Sequence, residues 1–163
     1  MSRGDRRPLP DAPASDRIRE NADNRLGAVY SALYGFWSAR HAVVTSSQQA
    51  IGARRDAYSI ILFDRTAKSV VVNDFTSNPD QLLDTVLNYK ASGSTNFTAA
   101  LQAGEVAMID NWSTVRLVSV SIARFCLTAT IRRTPVMVFL SDGQCSIKDE
   151  VVTDLCRSAI RLG

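Results

Sequence analysis

Apolar residues follow a helical spacing in one stretch near the start of the chain. Steps of three and four separate Leu26, Val29, Tyr30, Leu33, Phe36 and Trp37, which is the spacing of one buried helix face. Asn24 precedes this stripe and is a residue type favoured at the helix N-cap. We therefore predict a helix that begins at Arg25 and stops by Gly52.

Two short β-rich runs follow this helix. Residues 58–63 (YSIILF) and 67–72 (AKSVVV) flank the turn sequence Asp64-Arg65-Thr66, and this arrangement is typical of a β-hairpin. Ser77 or Asn78 then stands in an N-cap position before Pro79. The next helix has a predicted buried stripe of Leu82, Leu83, Val86 and Leu87.

The second half of the chain repeats this alternation of helix and strand. The small polar stretch 91–98 (ASGSTNFT) precedes an alanine-rich helix, residues 136–140 (VMVFL) have the composition of a buried strand, and a last helix is predicted over 149–161. Such alternation predicts an α/β fold with helices on the faces of a sheet. In these folds binding sites lie at the carboxyl ends of strands.

The ends of the domain follow from composition. Residues 1–22 hold three of the five prolines, and we predict a disordered N-terminal lead-in there, followed by one domain over 23–163. Within that domain, residues 115–132 interrupt an otherwise typical helix-to-strand connection and are predicted to be an insertion. Two hypotheses account for them: translated intron sequence, or a strand at 117–122 that fills a vacant place in the sheet.

Charge and composition exclude several classes of protein. The formal net charge is +3, and no basic run alternates with aromatic residues, so nucleic-acid binding is not expected. No apolar run reaches the ~18 residues of a membrane span. The N-terminus lacks the apolar core of a signal peptide, and the three cysteines show no CxxC spacing, which favours reduced thiols. A cytoplasmic location is therefore expected.

Three pieces of sequence, taken in order, resemble the von Willebrand factor type A (vWA) domain. They are the loop 93–101 (GSTNFTAAL), the strand end 138–143 (VFLSDG), and the hairpin with its following Pro79 helix upstream of both. The resemblance covers roughly residues 25–163, apart from the insertion. It implies a three-layer, Rossmann-like sandwich and an interaction module rather than an enzyme.

The resemblance also implies a metal-ion-dependent adhesion site. In the family this site combines a DxSxS motif, a threonine and an aspartate around Mg²⁺ or Mn²⁺, and an acidic side chain of a protein partner completes the shell. Here Thr95 and Asp142 match the threonine and the aspartate. The partner-binding rim implied around them consists of Gly93, Ser94, Asn96, Ser141 and Gly143.

The chain departs from the family pattern at its first motif. Nothing before Arg25 has the DxSxS spacing, and no apolar strand precedes the first helix. The predicted sandwich is therefore incomplete, without its central first strand and its last strands. One hydroxyl and one carboxylate would hold Mg²⁺ or Mn²⁺ weakly, so the predicted adhesion site is degenerate.

Other interpretations remain open at this point. Thr95 is also a plausible helix cap, and Asp142-Gly143 is an ordinary turn sequence. For function, the 93–98 loop before a helix could bind phosphate, as in a small α/β nucleotide-binding enzyme, although the chain has no GxxxxGK[ST], GxGxxG or GxSxG motif. A third possibility is a nonfunctional fragment of a larger vWA protein.

Overall fold

The fold combines helices with one β-hairpin. The computed structural model describes residues 7–8, 10–46, 56–112, 136–141 and 145–162, and these contain five helices and a two-stranded antiparallel sheet. In chain order the elements are α1 (Ser15–Asn21), α2 (Arg25–Ser46), β1 (Tyr58–Phe63), β2 (Ala67–Asp74), α3 (Pro79–Leu87), α4 (Phe97–Trp112) and α5 (Asp149–Leu162). A mixture of helix and sheet is therefore confirmed.

The three-layer sandwich predicted above is not what the described residues form. Their sheet consists of β1 and β2 alone. A sandwich of the predicted kind needs further strands beside β1, to satisfy its second edge and to give helices two faces to cover. Within the described part of the chain, no strand occupies that edge.

Helix α2 begins where the sequence predicts. The Asn24 side-chain oxygen accepts hydrogen bonds from the backbone N–H groups of Leu26 (3.0 Å) and Gly27 (3.2 Å), so it satisfies two donors of the first turn. Tyr30 and Trp37 lie on the buried face. The helix ends at Ser46, and the predicted stop at Gly52 lies outside the described residues.

The predicted hairpin is confirmed. Strand β1 pairs antiparallel with β2, from Phe63 opposite Ala67 at the turn to Tyr58 opposite Asp74 at the far end. The turn is closed by a 2.9 Å hydrogen bond from the Asp64 N–H to the Thr66 carbonyl. Strand β2 runs to Asp74, two residues further than the prediction.

Helix α3 completes the core beneath the hairpin. Asn78 and Gln81 form a reciprocal capping box, with 2.9 Å in each direction, and Pro79 follows the cap. The cap and the proline are as predicted. The apolar face of α3 joins residues of α1, α2 and β2 in one cluster: Ile18, Ala22, Leu26, Tyr30, Trp37, Val71, Leu82, Leu83 and Val86.

Helix α1 lies inside the segment predicted to be a disordered lead-in. Its Ile18 is fully buried in the core cluster, and its Arg17 forms ion pairs with Asp80 and Asp84 of α3. Seven residues are too few to show a helical stripe, so composition alone determined the prediction. The ordering of this helix comes from tertiary contacts that a local pattern does not contain.

Residues 136–140 were predicted to be a buried strand, and that prediction is wrong for the structure described. No ladder pairs them with another strand among the described residues, and Val136 and Val138 are 80% and 73% exposed. The alternate residues Met137 and Phe139 are less exposed, so the period of two expected of a strand is present. The run has the alternation of a strand without a neighbouring strand to bury its other face.

Helix α5 starts at Asp149 as predicted and packs against α4, where the Ser158 hydroxyl donates a 2.5 Å hydrogen bond to Glu105. The helical spacing predicts an inner face of Val151, Val152, Leu155, Cys156, Ala159 and Ile160, and three of these, Val152, Cys156 and Ile160, are instead exposed. The predicted insertion at 115–132 lies outside the described residues. In the part of the chain that is described, no helix is both long and apolar enough to cross a membrane.

Asp74 at the end of β2 makes part of the stability dependent on pH. Its carboxylate accepts bonds from the hydroxyl (2.6 Å) and N–H (2.9 Å) of Ser77 and the N–H of Thr76 (2.8 Å). The Ser77 hydroxyl contributes most, and together the bonds lower the pKa of Asp74 from 3.8 to about 2. Because the folded pKa is depressed, the stabilisation is complete above pH 3.8 and is lost as pH falls toward 2.

We therefore expect the stability advantage of wild type over Asp74→Asn to be constant near neutral pH and to shrink between about pH 4 and 2. Urea unfolding at a series of pH values measures this advantage, and carbon NMR of the Asp74 carboxyl measures its pKa directly. Ser77→Ala is the matched control, since it should raise that pKa. An advantage that stays constant down to pH 2 would contradict the assignment.

Candidate functional site

The turn of the hairpin is joined to the loop that precedes α4. The backbone N–H of Asn96 donates to the Asp64 carbonyl at 2.8 Å, and the Asn96 side-chain amide donates to the Arg65 carbonyl at 3.2 Å. Two hydrogen bonds from one residue fix the position of the loop relative to the carboxyl end of β1. A site at this place is therefore built on a rigid connection rather than on a free loop.

Asn96 also caps helix α4. Its side-chain oxygen accepts a 3.0 Å hydrogen bond from the Ala99 N–H, which is the N-cap interaction that the sequence had offered to Thr95. The capping interpretation of Thr95 is therefore wrong. The Thr95 side chain is partly exposed, and its hydroxyl makes no hydrogen bond with any of the described residues.

Gly93 is required by the close approach of the loop to Asp64. Its φ is +76°, and a Cβ built at this position would lie 3.2 Å from the Asp64 carboxylate oxygen Oδ2. Any other residue would meet both a strained backbone and a crowded carboxylate. This explains the glycine that the sequence places in the loop.

The Asp64 carboxylate is already engaged in the turn. Its Oδ1 accepts from the N–H (2.9 Å) and the hydroxyl (3.3 Å) of Thr66. The backbone bond from Thr66 is the main cause that lowers the pKa of Asp64. Asp64 is therefore charged at neutral pH and turned toward its own hairpin.

Three aromatic rings connect the loop, the hairpin and the segment 136–141. Phe139 stacks on Phe63 with ring centroids 5.3 Å apart and meets Phe97 edge-on at 5.4 Å. Phe63 and Phe97 also contact each other edge-on at 6.2 Å. This cluster joins the last residue of β1, the first residue of α4 and the middle of the segment.

The segment 136–141 runs antiparallel to α4. Met137 lies over Gly104, where a Cβ built on the glycine would be 2.7 Å from the Met137 Cε. Phe139 lies at Phe97, about two turns earlier in the helix. Residue numbers therefore rise along the segment as they fall along α4, so Ser141 follows toward the helix N-terminus. The loop and the segment therefore both lead to the N-terminal end of α4.

The structure distributes the predicted site residues unevenly. Gly93, Ser94 and Ser141 are exposed, and Thr95 and Asn96 are partly exposed. Asp142 and Gly143 lie outside the described residues. The side chain of Asn96, assigned to the partner-binding rim, has internal partners on both of its polar atoms, so it holds the loop 93–96 to the hairpin turn and to α4.

The described residues offer few metal ligands. Among them, no group of three or more histidine, cysteine, aspartate or glutamate side chains lies close enough to hold a metal ion. The free cysteines Cys145 and Cys156 are exposed. Of the two predicted metal ligands, Thr95 lies within the described residues and Asp142 lies outside them.

Sequence reasoning missed the part that the hairpin turn takes in this site. Aspartate two residues before threonine is a sequence typical of a side-chain turn, and it was present in Asp64-Arg65-Thr66. The turn could therefore be found from sequence, but its contact with the 93–96 loop is between residues far apart in the chain.

Comparison with known protein families, curated proteins and solved structures gives no match for this chain.

Proposed function

We propose that the loop 93–96 and the residues that follow Phe139 form a protein-interaction rim of vWA type. The observation that carries this proposal is the aromatic cluster of Phe63, Phe97 and Phe139. It brings the segment that leads into Ser141 to Phe97, the first residue of α4, which directly follows the loop 93–96. The loop and this segment are two of the three pieces of sequence that carry the vWA resemblance.

The metal site belongs to the same proposal. Thr95 would offer its hydroxyl oxygen, which has no partner among the described residues, and Asp142 would offer a carboxylate. Oxygen ligands of this kind suit Mg²⁺ or Mn²⁺. The ion, when bound, supplies an open coordination position for the carboxylate of a protein partner. Because DxSxS is absent, the affinity for the metal should be weak.

The order of elements supports the vWA resemblance, although the described residues do not form its three-layer sandwich. The hairpin, α3 and α4 follow in the order that the resemblance requires, and 136–141 runs antiparallel to the helix before it, as a strand does after its crossover helix. A non-enzymatic, cytoplasmic protein is the corresponding proposal for class and location, and the free thiols of Cys145 and Cys156 are consistent with a reducing compartment.

We expect Mg²⁺ or Mn²⁺ to raise the melting temperature of the chain. With a dissociation constant of about 1 mM, ~10 mM metal would stabilise the folded state by about 1.4 kcal/mol, or a few degrees. Differential scanning fluorimetry with metal and with EDTA measures this shift. Asp142→Ala and Thr95→Ala should abolish it.

Asp154→Ala is the matched control, because it removes an exposed carboxylate from α5 that pairs with Arg157. This variant should keep the full metal shift. A shift that survives both Asp142→Ala and Thr95→Ala would place the metal elsewhere. A shift with ATP and none with metal would contradict the adhesion-site proposal and favour phosphate binding by the 93–98 loop.

A further inference from the structure

Three basic residues lie in the hairpin and in the chain that leads to the loop before α4. Arg65 lies in the turn, Lys68 follows in β2, and Lys90 lies at the start of the loop; all three are exposed. The turn and the loop are held together at Asn96, and the Lys68 ammonium lies 4.8 Å from the centre of the Tyr89 ring, next to Lys90. We call Arg65, Lys68 and Lys90 the tip cations.

The tip cations are not neutralised by ion pairs in the described part of the chain, although Lys68 also lies over the Tyr89 ring. None of them forms an ion pair with a carboxylate among the described residues, whereas Arg17 and Arg40 are each paired with aspartates. The neighbouring Asp64 carboxylate accepts two hydrogen bonds from Thr66 and contacts Gly93, so it remains committed to the turn. The exposed Ser94 lies in the loop that Asn96 holds to the hairpin turn.

We propose that the tip cations bind an acidic peptide segment of a protein partner without a metal ion. This inference rests on the proposed interaction rim and names the chemistry of its partner. In a complete adhesion site the metal supplies the positive charge that captures a carboxylate. Here the arginine fork and two ammonium groups supply that charge at the edge of the same loop.

A peptide suits this surface better than a nucleic acid. A protein that binds duplex DNA usually neutralises about six to ten phosphates, whereas this surface has three cations. Tyr89 is covered on one face by Lys68, so that face does not offer a platform for base stacking. A short acidic segment matches the small number of charges.

The test is an NMR titration of the whole chain with a short peptide of alternating Glu and Gly, in EDTA. We expect the backbone amides of the turn and of the loop 93–96 to shift with this peptide and not with the same peptide carrying Gln for Glu. Arg65→Ala should raise the dissociation constant of the peptide by about fivefold, the upper range for an exposed ion pair. Higher salt should weaken the binding further.

Arg65→Ala keeps the backbone carbonyl that Asn96 binds, so the turn should stay in place. Arg157→Ala is the matched control, because it removes an exposed arginine from α5. Its neighbour Ser158 contacts Glu105 of α4, and Glu105 lies about 12 Å along the helix from Phe97. This control should bind as wild type does. Unchanged amide spectra outside the turn would show that each variant is folded.

Other results would overturn the inference in ways that separate it from the proposed function. Binding that requires Mg²⁺, survives Arg65→Ala and is lost in Thr95→Ala would contradict the tip cations and support the adhesion site. No binding of the Glu peptide with or without Mg²⁺ would overturn the inference, while the metal-dependent melting temperature tests the rim independently. Stronger shifts with an oligonucleotide than with the peptide would assign the surface to nucleic acid.

Discussion

Phe97→Ala should lower the free energy of unfolding by about 3 kcal/mol, the lower end of the range for a buried phenylalanine. Phe97 is 8% exposed and contacts both Phe63 and Phe139. Its removal leaves a cavity at the point where β1, α4 and the segment 136–141 meet. Chemical denaturation followed by circular dichroism measures the loss.

The same substitution should also disturb the candidate site. Without Phe97, the ring of Phe139 retains only its contact with Phe63 from this aromatic cluster, and the segment leading to Ser141 keeps only the contact of Met137 with Gly104 on α4. Amide exchange of residues 137–141 should accelerate more than exchange in the hairpin. Any metal-induced rise in melting temperature should shrink, because the two halves of the rim are no longer held together.

Phe36→Ala provides the control for Phe97. Phe36 is 53% exposed and has one aromatic contact, with Tyr58, so its loss should cost about 1 kcal/mol or less. Phe97→Leu should fall between the two, since it refills part of the cavity. Equal losses of unfolding free energy for Phe36→Ala and Phe97→Ala would show that the aromatic cluster does not hold β1, α4 and the segment 136–141 together.

The elements that sequence predicted correctly are those whose determinants are local. Asn24 caps α2 through its own helix, Asn78 and Gln81 cap each other within one turn, and the hairpin is set by two runs on either side of Asp64-Arg65-Thr66. Each of these depends on residues a few positions apart. Spacing and residue type were therefore sufficient.

The misassigned elements depend on distant parts of the chain. Residues 136–140 have the composition of a buried strand, but a strand is buried by its neighbours, and β1 has no second partner among the described residues. Helix α1 is the opposite case. It has few apolar residues, and Ile18 becomes a core residue because α2 and α3 surround it. Neither outcome can be read from the segment itself.

The candidate site was predicted in its pieces but not in its connections. The loop was identified from its glycine and its hydroxyl residues, and Gly93 does adopt a positive φ. The sequence offered Thr95 as the cap of α4, whereas Asn96 caps it and also donates to the Arg65 carbonyl of the hairpin turn. That choice releases the Thr95 hydroxyl for the rim.

Two glycines in α2 should respond to the same substitution with opposite signs. We expect Gly27→Ala to lower the free energy of unfolding by about 2 kcal/mol, within the range for overpacking. A Cβ at Gly27 would overlap the Ala22 carbonyl oxygen and lie 3.0 Å from Pro8 Cγ. The obstacle is the backbone at the end of α1, which cannot move aside as a flexible side chain would.

At Gly35 a Cβ would meet no atom within 4 Å, and the position is exposed in the middle of the helix. Gly35→Ala should therefore raise the free energy of unfolding by about 0.5–1 kcal/mol, the usual gain from replacing glycine with alanine inside a helix. The pair shares one helix and one chemical change, so helix propensity cancels in the comparison. The difference in unfolding free energy between the two variants therefore reports the close approach of α1 to α2 at Gly27.

Urea unfolding of both variants measures the two free energies, and amide exchange locates the effect. Gly27→Ala should raise exchange in α1, because the helix must shift away from α2 and Ile18 then leaves the core cluster. Gly35→Ala should leave α1 unchanged. If both substitutions stabilise the chain by similar amounts, α1 does not pack against α2 at Gly27, and the segment 1–22 would be closer to the disordered lead-in that its composition predicts.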